Sequence, residues 1–160
     1  MSAHRPKPEL GVYRNALERA AHRLGIDTFH ADYRGDAGLD GGMQVLGARG
    51  VQAVFVYGSN ASNAQLPRLV HFFAVRRLPD LYANGQAVAL GRLMSYGVDL
   101  TDLTVRSADY VDKILRGAKP ADLPVQQPTK YDMTINLKTA KALGLKMPQS
   151  ILARADKLIE

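Results

Sequence analysis

The sequence predicts an α/β fold in which helices flank a parallel sheet, and three observations support this prediction. Helical and strand-like patterns alternate along the chain, which is typical of parallel sheets with crossover helices. The clearest strand, residues 51–57, is apolar on both faces, as a central parallel strand requires. A chain of 160 residues with 46% apolar residues is long and apolar enough to fold as one α/β domain with a packed core.

The first half of the chain alternates between the two patterns. In order, we predict a helix at 8–24, a strand at 28–33, a helix at 36–46, a strand at 51–57 and a helix at 64–77. The first helix has apolar residues at steps of three and four and is followed by Gly25, a common helix stop. The last of these helices is expected to turn four apolar side chains inward: Leu66, Leu69, Val70 and Phe73.

The second half continues the alternation. It predicts strands at 78–82 and 89–96, a helix at 100–116, a strand at 131–135, a short helix at 136–144 and a last helix from 148 to 160. Asp99 is a favourable N-cap for the helix at 100–116, and Asn136 for the short one. The inner side of the helix at 100–116 is predicted to consist of Leu100, Leu103, Val111, Ile114 and Leu115.

Composition removes several classes of function. There are no cysteines, which excludes disulfides, thiolate zinc sites and cysteine nucleophiles. The net charge of +6 comes from scattered lysines and arginines, which favours a solvated surface over a nucleic-acid interface. No stretch approaches the ~20 apolar residues of a membrane span, and the first residues do not resemble a signal peptide.

Motifs for catalysis, cofactors and metals are missing from the sequence. Ser59 follows a strand, but Tyr57 and Ala61 occupy the positions where a nucleophile elbow needs glycine. The chain has neither GxGxxG nor GxxxxGK[ST], and its four histidines lack metal-ligand spacing. We therefore predict no enzyme activity, no cofactor and no metal.

The candidate binding residues are chosen by their position at the ends of the predicted strands. In open parallel sheets, ligands bind outside the carboxyl ends of the strands. Each of these ends brings an aromatic ring together with short polar groups, which suits a small polar organic solute, although ordinary turn chemistry uses the same residue types. The predicted ligand-binding residues are Tyr57, Ser59, Asn60, Tyr82, Asn84, Ser95, Tyr96 and Asp99.

Four stretches of the second half occur in an order that points to a known family. They are 93–99 (LMSYGVD), 110–120 (YVDKILRGAKP), 122–130 (DLPVQQPTK) and 135–145 (INLKTAKALGL), with the closing segment 148–160 after them. In these stretches the chain resembles the ABC transporter substrate-binding protein family of the type-1 periplasmic-binding fold. Residues 8–90 fit that family only in pattern.

The resemblance implies a protein of two lobes that closes on a solute and delivers it to an ABC permease, in the periplasm. Residues 8–90 would form the second lobe, 91–128 a hinge crossing with a helix that packs on the first lobe, and 129–160 the closing strand and C-terminal helices. The first lobe and the export signal are absent from this sequence, so the chain expressed as given would be cytoplasmic. With only one wall, we expect weak solute binding or none.

Two other interpretations remain open at this stage. The chain could be a standalone α/β interaction or sensor domain that dimerises through residues 100–116, with no transport role. It could also be an α/β enzyme whose acid–base groups converge only in three dimensions.

Overall fold

The computed structural model describes residues 8–31, 35–57 and 65–160, which belong to two compact units, Met1–Ala48 and Arg49–Glu160. In the first unit, α1 spans Pro8–Arg23 and α2 spans Gly35–Ala48, so both predicted helices are confirmed. The strand predicted at 28–33 is wrong for 28–31, and 32–33 lie outside the described residues. A strand needs a paired neighbour, and the described part of this unit offers only helices.

The second unit contains a sheet with helices between its strands. Its elements are β1 (Val54–Val56), α3 (Leu66–Val75), β2 (Asp80–Tyr82), α4 (Gln86–Ala89), β3 (Met94–Val98), α5 (Leu100–Leu115), a 3₁₀ turn (Pro120–Asp122), β4 (Tyr131–Asn136), α6 (Leu137–Leu143), α7 (Gln149–Leu152) and β5 (Lys157–Ile159). The strand order is β1-β2-β3-β4-β5.

The sheet is mixed, which corrects the prediction of a wholly parallel one. β1, β2 and β3 run parallel, β4 is antiparallel to β3, and β5 is parallel to β4. The connection through α5 starts where β3 ends, and it returns to the same edge of the sheet. Because the chain re-enters at the edge it left, β4 must run in the opposite direction.

β1 lies at one end of the described sheet rather than at its centre, so the predicted central position is wrong. The apolar run that suggested a central strand still pairs with β2 along its length. Its Phe55 side chain is 39% exposed. Hydrophobicity on both faces therefore did not indicate how many strands flank it.

The core of the second unit is built largely as the pattern predicted. Of the four α3 residues predicted to face inward, Leu66, Leu69 and Phe73 are buried and Val70 is half-buried. Val88 of α4 and Ile135 of β4 are buried with them. Burying such side chains stabilises the fold by roughly 1.5–3 kcal/mol each. The short helix α4, which the sequence pattern did not predict, contributes to this core.

The C-terminal segment differs from the prediction of a final helix. Only one helical turn, α7, forms after Pro148, and the chain then becomes β5. The Asp156 N–H donates to the Met133 carbonyl over 2.9 Å, and the Met133 N–H donates to the Asp156 carboxylate over 2.7 Å. These bonds join β4 to the start of β5, and pairing with β4 prevails over the helical spacing of the apolar residues.

Helix α5 forms as predicted, but none of its apolar side chains is fully buried. Asp99 caps it, with Oδ1 accepting from the N–H groups of Thr101 and Asp102 at 2.9 and 3.0 Å. Of the residues predicted to face inward, Leu103 is half-buried, whereas the other four are exposed: Leu100, Val111, Ile114 and Leu115. Among the residues that the structure describes, neither α5 nor any other helix is long and apolar enough to cross a membrane.

Candidate functional site

The carboxyl ends of β1, β2 and β3 meet the start of β4 at one border of the sheet, here called the carboxyl edge. It comprises Tyr57, residues 83–85, residues 96–99 and residues 130–132. Among the described residues, the short connections at 83–85 and Asp99 and the long segment 116–130 reach this border. The mixed direction of the sheet adds the start of β4 to the set.

An exposed pair of stacked tyrosines is the main aromatic feature of this edge. The ring centroids of Tyr96 and Tyr131 are 5.9 Å apart with an interplanar angle of 24°, and the residues are 47% and 46% exposed. Val98 is paired with Tyr131 across the antiparallel ladder, so Tyr96 is its diagonal neighbour on the same face. The register therefore builds a flat apolar platform with two hydroxyl groups.

The opposite face of the same strands carries an ion pair. Lys130 Nζ donates to Asp99 Oδ2 over 2.6 Å, and the Asp99 N–H donates to the Lys130 carbonyl over 3.1 Å. The lysine, with help from the N–H groups that Asp99 caps, lowers the pKa of the Asp99 carboxyl. The same contact raises the pKa of the Lys130 ammonium group, so both groups are charged at neutral pH.

Gly97 brings the loop after β2 close to β3. A Cβ at this position would overlap the carbonyl oxygen of Ala83, so only glycine fits. Asn84, which follows Ala83, accepts a hydrogen bond from the Gln86 N–H at 3.2 Å through its side-chain oxygen. This bond holds the loop in an Asx turn. Ser95 is only 2% exposed and lies beneath this loop.

Tyr82 takes part in a buried polar cluster rather than in the surface of the carboxyl edge. It is 3% exposed, and its hydroxyl donates to Asp80 Oδ2 over 2.8 Å. Asp80 also pairs with Arg92 at 2.5 Å and accepts from the Leu93 N–H at 3.1 Å. Burial and the neighbouring carboxylate raise the pKa of the Tyr82 hydroxyl strongly, so it remains a neutral donor.

The eight predicted binding residues thus have different environments. Tyr96 and Asn84 lie at the carboxyl edge, as does Tyr57, which is 45% exposed and whose ring centroid is 6.0 Å from that of Phe55. Asp99 lies there too, but its carboxylate already accepts from two N–H groups and Lys130. Ser95 and Tyr82 are buried, and Ser59 and Asn60 lie outside the described residues.

Sequence reasoning predicted Tyr57, Asn84, Tyr96 and Asp99 of the edge, but it named none of the residues around the start of β4, namely Lys130, Tyr131 and Asp132. They begin a strand, whereas the positional rule searches the ends of strands. An antiparallel β4 brings its start to the border where parallel strands end. One feature of the sequence pointed to these residues. The chain leaves the sheet at Asp99 and must return to it before β4.

The edge offers flat apolar surface, hydrogen-bond donors and acceptors, and charges of both signs, which are the elements of a small-molecule binding surface. Within residues 8–31, 35–57 and 65–160, no three His, Cys, Asp or Glu side chains are grouped in a way that could hold a metal ion.

Three solved structures share this fold with the chain. A conserved domain protein from Vibrio cholerae O1 biovar El Tor str. N16961 matches with a TM-score of 0.82 and 26% identity over 93% of the chain. An ABC domain in complex with L-Trp from Streptococcus pneumonia has the same TM-score, identity and coverage. The ligand-free, open structure of CD0873, a substrate binding protein with adhesive properties from Clostridium difficile, matches with 0.63 and 20% over 96%.

These likenesses confirm the predicted periplasmic-binding-protein-like fold. The chain spans about half the length of each structure, namely 50%, 51% and 51%. A comparison with curated proteins gives no match. The family model described as ABC transporter substrate binding protein matches residues 15–159, so the chain belongs to that family, as the resemblance of its second half predicted.

Proposed function

We propose that this chain provides one wall of the solute cleft of an ABC importer's binding protein, and that the solute is a small, polar, amino-acid-like molecule. The exposed pair Tyr96–Tyr131 is the observation that carries the proposal. Two stacked rings that leave about half of their surface to solvent, at the sheet border where ligands of open α/β folds bind, suit a planar apolar group.

The match to a structure that holds L-Trp supports an amino-acid solute. That structure is 26% identical to this chain and contains it as about half of its length. An indole ring has the flat shape that the tyrosine pair can stack against. Asn84 and Tyr57 lie at the same border of the sheet.

The second wall of the cleft is proposed to be the other lobe of the family fold. The apolar side of α5 would pack on that lobe, because its large residues are exposed in this unit. Leu100, Val111, Ile114 and Leu115 are 63%, 56%, 41% and 81% exposed. In this proposal the protein works outside the inner membrane with an ABC permease and does not catalyse a reaction.

A titration followed by NMR tests the proposal on the chain itself. A single wall desolvates a solute poorly, so we expect weak binding, with signals of Tyr96 and Tyr131 shifting at millimolar concentrations of aromatic amino acids. Tyr96→Ala should abolish these shifts, whereas Tyr13→Ala, which removes an exposed tyrosine of α1, should retain them. Shifts that avoid the two tyrosines would contradict the proposal, and tight binding by a proven monomer would contradict the need for a second wall.

One observation favours a second candidate function. The apolar side of α5 is uncovered, and an exposed apolar stripe is also what a self-associating module presents. In that case the chain would be a standalone interaction or sensor domain that dimerises through residues 100–116, with no transport role.

A further inference from the structure

Basic side chains from two distant parts of the sequence meet at the border of the sheet opposite the carboxyl edge. β2 starts at that border and β4 ends there, because β2 is parallel and β4 antiparallel to β3. Arg77 precedes β2, and helix α6, which carries Lys138 and Lys141, follows β4 directly. The Arg77 guanidinium donates to the Ala142 carbonyl of α6 over 2.6 Å, so the two parts are in contact.

The exposed side of α6 is basic. Lys138, Lys141 and Ala142 are exposed, whereas Ala140 is buried and Leu143 is half-buried. Residues three and four apart are neighbours on a helix surface, so Lys141 and Ala142 both lie beside Lys138. The arginine that reaches the Ala142 carbonyl therefore joins two lysines on the solvent side of the helix.

The positive charges at this border are not balanced by their surroundings. The basic patch, as we define it, consists of Arg77, Lys138, Lys141 and Lys146. Residues 133–155 contain four basic residues and no acidic one. Within the part of the chain that the structure describes, none of the four patch side chains forms a salt bridge. Glu160, which follows β5 at the same border, offsets one of these charges at most.

An exposed leucine lies among these cations. Leu145 is 37% exposed and stands between Gly144 and Lys146 in the turn that ends α6. Its N–H donates to the Ala140 carbonyl over 2.9 Å, which holds the turn against the helix. A nucleic acid would use only the cations. A lipid surface uses both features, because headgroups attract the lysines and the acyl chains accept the leucine.

We propose that the basic patch binds an anionic phospholipid surface, with its cations at the headgroups and Leu145 toward the acyl chains. Four cations and one leucine give weak, reversible binding that salt screens. The patch lies at the border opposite the carboxyl edge, so a chain on a membrane keeps that edge accessible to a solute. The inference goes beyond the proposed function and does not depend on it.

Co-sedimentation of the chain with lipid vesicles tests the proposal. Vesicles of equal parts phosphatidylglycerol and phosphatidylcholine are anionic, whereas vesicles of phosphatidylcholine alone are not. We expect binding to the anionic vesicles at low salt and its loss at on the order of 0.5 M salt. The double variant Lys138→Gln with Lys141→Gln should weaken this binding roughly tenfold or more, and Leu145→Ser should weaken it as well.

The matched control is Lys113→Gln with Lys119→Gln, which removes the same charge from exposed residues of α5 and the segment after it. This control should bind the anionic vesicles nearly as wild type does. Equal losses in the two double variants would mean that only net charge attracts the chain, and the assignment would be overturned. Equal binding to both kinds of vesicle, or no binding to either, would overturn it too.

A DNA oligonucleotide separates a lipid surface from a general polyanion site. If the oligonucleotide displaces the chain from vesicles and Leu145→Ser leaves vesicle binding unchanged, the lipid assignment fails. Vesicle binding and the response of the tyrosines to aromatic amino acids are measured separately. A chain that binds vesicles while its tyrosine signals ignore aromatic amino acids would contradict the proposed function alone.

Discussion

Gly97 is the residue whose absence of a side chain most directly shapes the carboxyl edge. A methyl group there would overlap the Ala83 carbonyl oxygen, so Gly97→Ala must displace either β3 or the loop after β2. Such overpacking costs about 1–3 kcal/mol. Urea unfolding should show this loss, together with altered NMR signals at residues 83–85.

The matched control for that substitution is Gly41→Ala in α2, where a Cβ would meet nothing within 4 Å. Alanine is the better helix former by about 1 kcal/mol, so this variant should be as stable as wild type or more stable. A Gly97→Ala chain with undiminished stability would show that the approach of Ala83 to β3 is not required.

Asp99 makes the stability of the fold change with pH in the acid range. Its pKa is lowered in the folded chain by Lys130 and by the N–H groups of α5, from an ordinary value of 3.8. A lowered pKa stabilises the fold above the ordinary value, and this contribution is lost as the pH falls through the folded value. The loss in unfolding free energy caused by Asp99→Asn should therefore be largest near neutral pH and shrink below about pH 4.

Urea unfolding of wild type and Asp99→Asn between neutral and acid pH measures this difference. Asp112→Asn is a suitable control, because Asp112 pairs with Arg116 on an exposed helix surface, and such pairs contribute little. A pH-independent difference between wild type and Asp99→Asn would mean that Asp99 acts only as a neutral cap.

At the scale of elements, periodicity predicted those whose partners are local or whose ends carry a cap. Helix α5 begins after Asp99, and α6 begins after Asn136, whose side chain accepts from the Thr139 N–H at 3.0 Å. Helix α6 ends at Gly144, which has a φ of 76° that favours glycine. These signals lie within a few residues of the element they delimit, so a sequence contains them completely.

Elements that depend on distant pairing were predicted less well. Residues 157–159 have apolar spacing that fits a helix, but they become β5 because β4 is available to pair with them. The direction of β4 depends on where the segment 116–130 returns to the sheet. No local sequence pattern contains that information. For the same reason, Tyr96 could be predicted as an edge residue, whereas its stacking partner Tyr131 could not.

Helix α5 shows that an element can be predicted correctly although the sequence does not say what covers it. Arg106 donates to Thr129 over 2.7 Å, and the Tyr110 hydroxyl donates to the Pro124 carbonyl over 2.6 Å. These bonds attach one side of the helix to the returning segment. Val111 and Leu115, on the apolar side, are exposed.

For the whole molecule, the uncovered side of α5 allows the two candidate functions to be separated by mass. A helix of 16 residues is about 24 Å long, and two such helices packed side by side bury less than the ~1,000 Å² of a stable interface. We therefore expect light scattering at micromolar concentration to give the mass of a single chain, 17.5 kDa. Twice that mass, reduced to one chain by Leu115→Glu and not by the control Lys138→Gln, would favour the dimerising module. A monomer whose tyrosine signals shift with aromatic amino acids would favour the function as one wall of a solute cleft. In that case the apolar side of α5 would pack on the other lobe rather than on a second copy of the chain.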